Sequence, residues 1–139
     1  MDRSHHCILV VDDNEATRYA LARTLRAAGF KTMEAGSGAK ALELTEYVSA
    51  AVLDVHLPDL LGLEVCRLLR ARPATASLPV VLMSAIYVTE KDRAAAKRVG
   101  ADVYFTSPVD HEELTAALLS LIEARASSGG QPPKPGEPS

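Results

Sequence analysis

The chain has no tryptophan, two cysteines and aromatic side chains at only 4% of its length. Cys7 lies in an apolar run and Cys66 in a helical pattern, at no spacing that suits a metal site or a redox pair. Both are expected to be small core residues in a reducing compartment. Long hydrophobic runs are missing too, since the longest nearly apolar stretches fall short of the ~18 residues that span a bilayer. Met1 to His6 has no cationic segment leading into an apolar one, so a soluble cytoplasmic protein without membrane partners is expected. Nor is there an excess of positive charge. The net charge is −3 and the pI near 5.8, with basic residues scattered among acidic ones. That excludes the electrostatic footprint of a nucleic-acid binder.

What is present is the balance of an ordinary globular chain, 47% hydrophobic and 24% charged. At 139 residues it falls within the roughly 100–200 residues of one domain. From Cys7 to Ala126, five short apolar runs alternate with segments of helical period. This pattern predicts an α/β fold, a doubly wound five-stranded parallel sheet with helices on both faces. The strands are expected at Cys7 to Val11, Phe30 to Ala35, Ser49 to Asp54, Pro79 to Met83 and Asp102 to Thr106. The first helix runs from Asn14 to Ala28 with Gly29 placed as its C-terminal cap, and Ser37 or Gly38 opens the second. Pro58-Asp59 and Gly62 mark a loop before the third, which carries Val65, Leu68 and Leu69. Thr89 and Asp92 offer a capping box to the fourth, and Asp110 with Glu113 starts the fifth, whose face is Leu114, Leu118, Leu121 and Ile122. Residues 127–139 are rich in Ser, Gly and Pro and offer no apolar side chain to offset ordering entropy. They read as a disordered tail or linker after a domain spanning residues 1–126.

In an open parallel sheet, ligands bind in the crevice outside the strand C-termini. Asp12, Asp13, Asp54, Ser84 and Ser107 all fall at or just past such ends. Taken singly, an Asp pair after a strand is as often a helix cap, Asp54 a turn residue and Ser84 a satisfied hydroxyl. Together, three carboxylates at two adjacent strand ends would repel in a partly desolvated crevice, and capping does not select that arrangement. A divalent cation resolves the conflict, and oxygen-only ligands with room for water suit Mg2+. Such an ion would let one carboxylate, Asp54, attack an incoming phosphoryl group. The Ser84 hydroxyl and the Ala85 backbone N–H would supply donors for phosphoryl oxygens.

These residues resemble the receiver domain of two-component response regulators or of a hybrid sensor kinase. The likeness covers about Cys7 to Ala126 and rests on Val10-Val11-Asp12-Asp13-Asn14, on Leu53-Asp54-Val55-His56-Leu57-Pro58-Asp59 with Gly62, and on Met83-Ser84-Ala85. The resemblance implies a flavodoxin-like sheet of order 2-1-3-4-5. It implies Mg2+ held by Asp13, Asp54 and the backbone carbonyl of His56, with Asp12 acting mainly through water. It also implies a phosphohistidine donor on a sensor histidine kinase or phosphotransfer protein, and Tyr104 as an aromatic switch on the fifth strand, although a partly buried tyrosine at a sheet end is the plain alternative. Output would pass to a protein partner through the face of helix 4, strand 5 and helix 5, and the resemblance leaves room for a homodimer.

One position departs from the family. In Tyr104-Phe105-Thr106-Ser107-Pro108, Ser107 stands where receivers carry lysine, which removes a charge-assisted contact worth roughly 1.5–3 kcal/mol. The stretch from Ser84 to Ser107, including Ile86 and Tyr87, is one residue longer than usual for the family. The Ser107–Pro108 bond is expected to be cis by resemblance. His56 is expected to serve through its backbone rather than as a base, and His5, His6 and His111 to lie at the surface. Two competing readings stay open. One is a receiver-shaped interaction module that no longer uses phosphorylation, and the other a small phosphohydrolase forming an aspartyl phosphate. A flavin site is disfavoured because no phosphate-cradling loop follows the first strand.

Overall fold

Each short apolar run pairs as a parallel strand because helices cover the sheet on both faces, so every side chain of a central strand has apolar surface to meet. The computed structural model describes residues 3–86 and 88–127. Its order is β1 (Cys7–Val11), α1 (Glu15–Ala27), β2 (Lys31–Ala35), α2 (Gly38–Leu44), β3 (Ala50–Asp54), α3 (Gly62–Ala71), β4 (Val80–Ser84), α4 (Glu90–Arg98), β5 (Val103–Thr106) and α5 (His111–Ser127). The five strands form one sheet in the order β2-β1-β3-β4-β5, all parallel. The predicted architecture is therefore the observed one, with strand ends displaced by a residue at most.

Side chains alternate across the sheet. Ile8 and Val10 of β1 join Val52 and Val81 under α1 and α5, where Leu25, Leu114, Leu118 and Ile122 close one core. Leu9 and Val11 face the other way, with Leu53 and Leu82, onto Val65, Cys66 and Leu69 of α3 and Ala96 of α4. Burying each such side chain contributes roughly 1.5–3 kcal/mol. The two cores hold β1, β3 and β4 rigid, so whatever their C-terminal ends carry is placed by the whole sheet.

The helices start where their caps put them. The Asn14 side chain accepts from Thr17 N–H, Ser37 from Lys40 N–H and Asp110 from Glu113 N–H at 3.0 Å. Thr89 and Asp92 form the expected reciprocal capping box at α4. Gly29 and Gly100, with φ of 104° and 89°, end α1 and α4 in the left-handed conformation that glycine adopts without strain.

Two placements differ from expectation. Cys7 is half-buried, not a core residue, because it opens β1 at the sheet's N-terminal rim, where its backbone N–H meets Ser49 Oγ. His6 is half-buried as well, with Nδ1 3.3 Å from the same Ser49 hydroxyl. Cys66 is buried as expected, and burial pushes its thiol pKa up to about 11. Tyr87 and residues 128–139 of the expected tail lie outside the described residues.

Gly62 is the tightest backbone contact near the sheet's C-terminal edge. A Cβ there would stand 2.5 Å from the Asp54 carbonyl oxygen and 2.9 Å from Val55 Cα, both backbone atoms that cannot swing aside. Gly62→Ala is expected to cost roughly 1–3 kcal/mol by forcing the β3–α3 loop outward, read as a lower urea midpoint. An unchanged midpoint would show that the loop yields freely.

Candidate functional site

The C-terminal ends of β1 and β3 are neighbours, since Val11 pairs with Leu53. Asp12 and Asp13 follow the first strand directly and Asp54 ends the second. One carboxylate oxygen from each of the three lies within 4.8 Å of the others. Asp12 and Asp54 are half-buried and Asp13 is exposed. These are the acids that the sequence pattern predicts should converge.

Each is held by specific contacts. Asp12 Oδ1 accepts Asn14 N–H at 2.9 Å, while its carbonyl accepts Arg18 Nη1 at 2.9 Å. Arg18 is itself pinned by Glu34, 3.1 Å from Nε. Asp54 Oδ1 accepts the His56 N–H at 3.0 Å. One oxygen of Asp54 is thus engaged by backbone, and the carboxylate is turned at a fixed angle toward the acidic pair. Partial burial raises the Asp12 pKa above its ordinary value; the Asn14 N–H offsets this in part, and the charges of Asp54 and Asp13 push it further up.

The β3–α3 loop that presents His56 is fastened at both ends. Gly62 N–H donates to Val55 O at 2.8 Å. Asp59 bridges to the start of α2, accepting from Gly38 N–H at 2.8 Å and Ala39 N–H at 2.9 Å. Those two donors hold the Asp59 carboxyl below the usual carboxylate range. The sequence reading missed this brace and the Arg18 contact. Pro58-Asp59 looked like turn chemistry alone, and only the distance between two loops tells a turn residue from a cross-loop cap.

Ser84 ends β4 and is 2% exposed. Its hydroxyl accepts Ile86 N–H at 3.1 Å, and its closeness to the Tyr104 phenol lowers that group's pKa against the larger upward effect of burial. Its carbonyl accepts the Ser107 N–H at 2.8 Å, which ties the β5 end to the β4 end. Tyr104 is half-buried, and burial raises its pKa. Arg93 of α4 lies 5.9 Å from the centre of its ring and donates Nη1 to its carbonyl at 3.1 Å, another partner not read from the sequence. His56 is exposed, and the Ser107–Pro108 bond is cis.

Beside the three acids a cavity of about 780 Å³ runs between α1 and the loop after β5, reaching Ala85, Ser107, Pro108 and Val109. The structure therefore brings Asp12, Asp13, Asp54, Ala85 and Ser107 to one opening, with Ser84 and Tyr104 near each other on β4 and β5.

A model of the response regulator receiver domain matches residues 8–119. The chain belongs to the response regulator receiver domain family. The response regulator MprA of Mycobacterium ulcerans is 40% identical over 117 residues, covering 83% of this chain and 49% of that protein. MprA of Mycolicibacterium vanbaalenii is 38% identical over 125 residues, 88% of this chain and 53% of that one. The chain spans about half the length of these curated relatives. Among solved structures, a putative response regulator from Chloroflexus aurantiacus superposes with a TM-score of 0.79 at 28% identity, covering 85% of this chain and 98% of that one. A CheY-like receiver domain protein from Methanospirillum hungatei, at 22% identity and TM-score 0.80 with 89% and 98% coverage, shares the fold. Receiver domains of response regulators are signalling modules of two-component systems, and the family implies a histidine kinase or phosphotransfer partner. Among the described residues no helix is long and apolar enough to cross a membrane.

The raised pKa of Asp12 fixes a sign. The folded receiver holds that proton more tightly than the unfolded chain, so the stability this gives is present at low pH and is lost as pH rises from 3.8 through the raised value. Asp12→Asn keeps the Oδ1 acceptor for Asn14 but removes the repulsion. Without divalent ions at pH 7 it is expected to stabilise the fold by roughly 0.5 kcal/mol, solvent screening keeping the gain small. Urea unfolding in chelator measures it, and a loss of stability would contradict a repulsive triad.

Proposed function

We propose that this receiver accepts a phosphoryl group from a phosphohistidine onto Asp54, with Mg2+ as the required ion. The reading is carried by the gathering of three carboxylates within 4.8 Å at two adjacent strand ends. The donor set fits the ion, since it offers three carboxylates, all hard oxygen ligands, with Asp13 exposed to water. Asp13, Asp54 and the His56 carbonyl would hold Mg2+ directly, with Asp12 acting through water. Bound there, Mg2+ supplies neutralisation of charge between the acceptor carboxylate and the phosphoryl oxygens.

The chain's own residues do the positioning. The His56 N–H occupies Asp54 Oδ1 and leaves Oδ2 to attack phosphorus. An O–P bond forms as the N–P bond of the donor phosphohistidine breaks, and the departing imidazole takes up a proton. The Ser84 hydroxyl and the Ala85 N–H would donate to phosphoryl oxygens. For Ser84 this means leaving Ile86 N–H, so the nearby ring of Tyr104 would feel the change, and through it the face of α4, β5 and α5. That face is the proposed output surface toward a protein partner or a second receiver, in the cytoplasm, with residues 1–126 as the receiver and 127–139 as a linker.

A second reading is favoured by Ser107. Among the described residues that line the cavity there is no lysine or arginine to meet a phosphoryl oxygen. On that reading the domain binds partners regardless of phosphorylation.

Acetyl phosphate with Mg2+ separates the two. Intact-mass measurement is expected to show the gain of one phosphoryl group by the wild type, no gain by Asp54→Ala, and none in chelator. Beryllofluoride with Mg2+ is expected to shift the Tyr104 resonances. A wild type inert to both reagents would leave only the phosphorylation-independent module.

A further inference from the structure

The cavity beside the acids has a composition that the phosphoacceptor reading does not use. Asp12, Asp13 and Asp54 line it together with Ala16, Ala20 and Leu21 of α1, Met83 of β4 and Val109 of the β5–α5 loop. Thr17 and Ser107 line it too, each bearing a hydroxyl. Three formal negative charges face this space, and among the described residues that line it the basic side chain is the His111 imidazole, with no lysine or arginine. Arg18, the nearest cation along α1, is committed elsewhere, to the Asp12 carbonyl and to Glu34. A bound Mg2+ would offset two of the three charges and an incoming phosphoryl group would add more negative charge, so a deficit of positive charge persists. At about 780 Å³ the space lies within the range of small-molecule pockets.

We propose that this cavity binds a primary alkylammonium group, its nitrogen between Ser107 and the carboxylates and its aliphatic stem along Ala16, Ala20 and Val109. Charge complementarity selects the head and the apolar walls select the stem. Without a bound Mg2+ the acids repel a free anion, and a compact, strongly hydrated cation would leave the walls unused. The hydroxyls of Ser107 and Thr17 offer acceptors for the ammonium protons that the carboxylates do not take. Ser107 governs the site because its side chain is short. A lysine there would fill the same space with its own ammonium and stem. The occupied cavity would place a positive charge where the phosphoryl oxygens of Asp54 develop. This last consequence rests on the phosphoacceptor reading, whereas binding itself does not.

The probe is n-butylammonium chloride, titrated at constant ionic strength into the 15N-labelled full chain with saturating Mg2+, with tetramethylammonium chloride as control. Saturable shifts are expected at the Thr17, Ala20, Ser107 and Val109 amides with n-butylammonium only. Ser107→Lys should abolish them by filling the cavity from within. Ala20→Leu should abolish them by narrowing the trough while leaving the Mg2+ response intact, which guards against misfolding of the first variant. Equal, unsaturable responses to both salts, or shifts elsewhere, would overturn the proposal. Nα-acetyl-lysine N-methylamide tells the sources apart, since a response to it assigns the ammonium to a partner's lysine side chain and a response to n-butylammonium alone assigns it to a free amine.

A kinetic arm uses acetyl phosphate. The wild-type rate of Asp54 phosphorylation should rise several-fold with n-butylammonium. Ser107→Lys should be faster by roughly tenfold and indifferent to the amine. If Ser107→Lys is phosphorylated but the wild type ignores the amine, the cavity proposal falls and the phosphoacceptor reading stands. If neither chain is phosphorylated, the phosphoacceptor reading falls and the binding spectra alone decide the cavity.

Discussion

Three carboxylates held within 4.8 Å of one another repel, and a fold that keeps them there must spend packing energy to do so. At an effective dielectric near that of a protein surface, two unit charges about 4 Å apart repel by about 4 kcal/mol before screening and solvent access reduce it. Nothing local to Asp12-Asp13 or to Asp54 requires the other partner. What brings them together is the pairing of β1 with β3, Val11 opposite Leu53, enforced by two apolar cores that clamp the same strands from opposite faces. The stability of the sheet thus maintains a site that is electrostatically unfavourable when empty and favourable to a cation.

The loops around the triad are braced to match. Asp59 reaches from the β3–α3 loop to two backbone N–H groups of α2, Gly62 lets that loop fold back against Asp54, and Ser107 N–H ties β5 to the Ser84 carbonyl. Chain segments far apart in sequence are fixed relative to one another by backbone bonds. Ser84 and Tyr104 lie near each other between them, and Arg93 couples the tyrosine to α4. A disturbance at Asp54 therefore has a short physical route to the α4–β5 surface, past Ser84 to the Tyr104 ring and the Arg93 guanidinium.

Much of this was legible in the residues. Branched apolar runs of five, such as Cys7-Ile8-Leu9-Val10-Val11, announce strands buried on both faces, and the helical stretches between them make parallel pairing the simplest solution. Parallel pairing in turn sends Asp12, Asp13, Asp54 and Ser84 to one edge, so the acidic site followed from topology and strand ends. What was not legible depends on distance between loops. Asp59 reads as a turn residue, nothing in the sequence marks the contacts of Arg18 and Arg93, and Cys7 and His6 read as core and surface when both sit at a rim shared with Ser49. The lack of lysine at Ser107 was plain in the sequence, but the cavity beside it is a property of the space between α1 and the β5–α5 loop.

The account stands on the acids acting as one cation site. Its most direct test is a crystal of the chain grown with Mn2+ in place of Mg2+ and examined by anomalous scattering. One peak is predicted, in coordinating contact with the Asp13 and Asp54 carboxylates and the His56 carbonyl. No peak there, or a peak away from all three acids, would contradict the account.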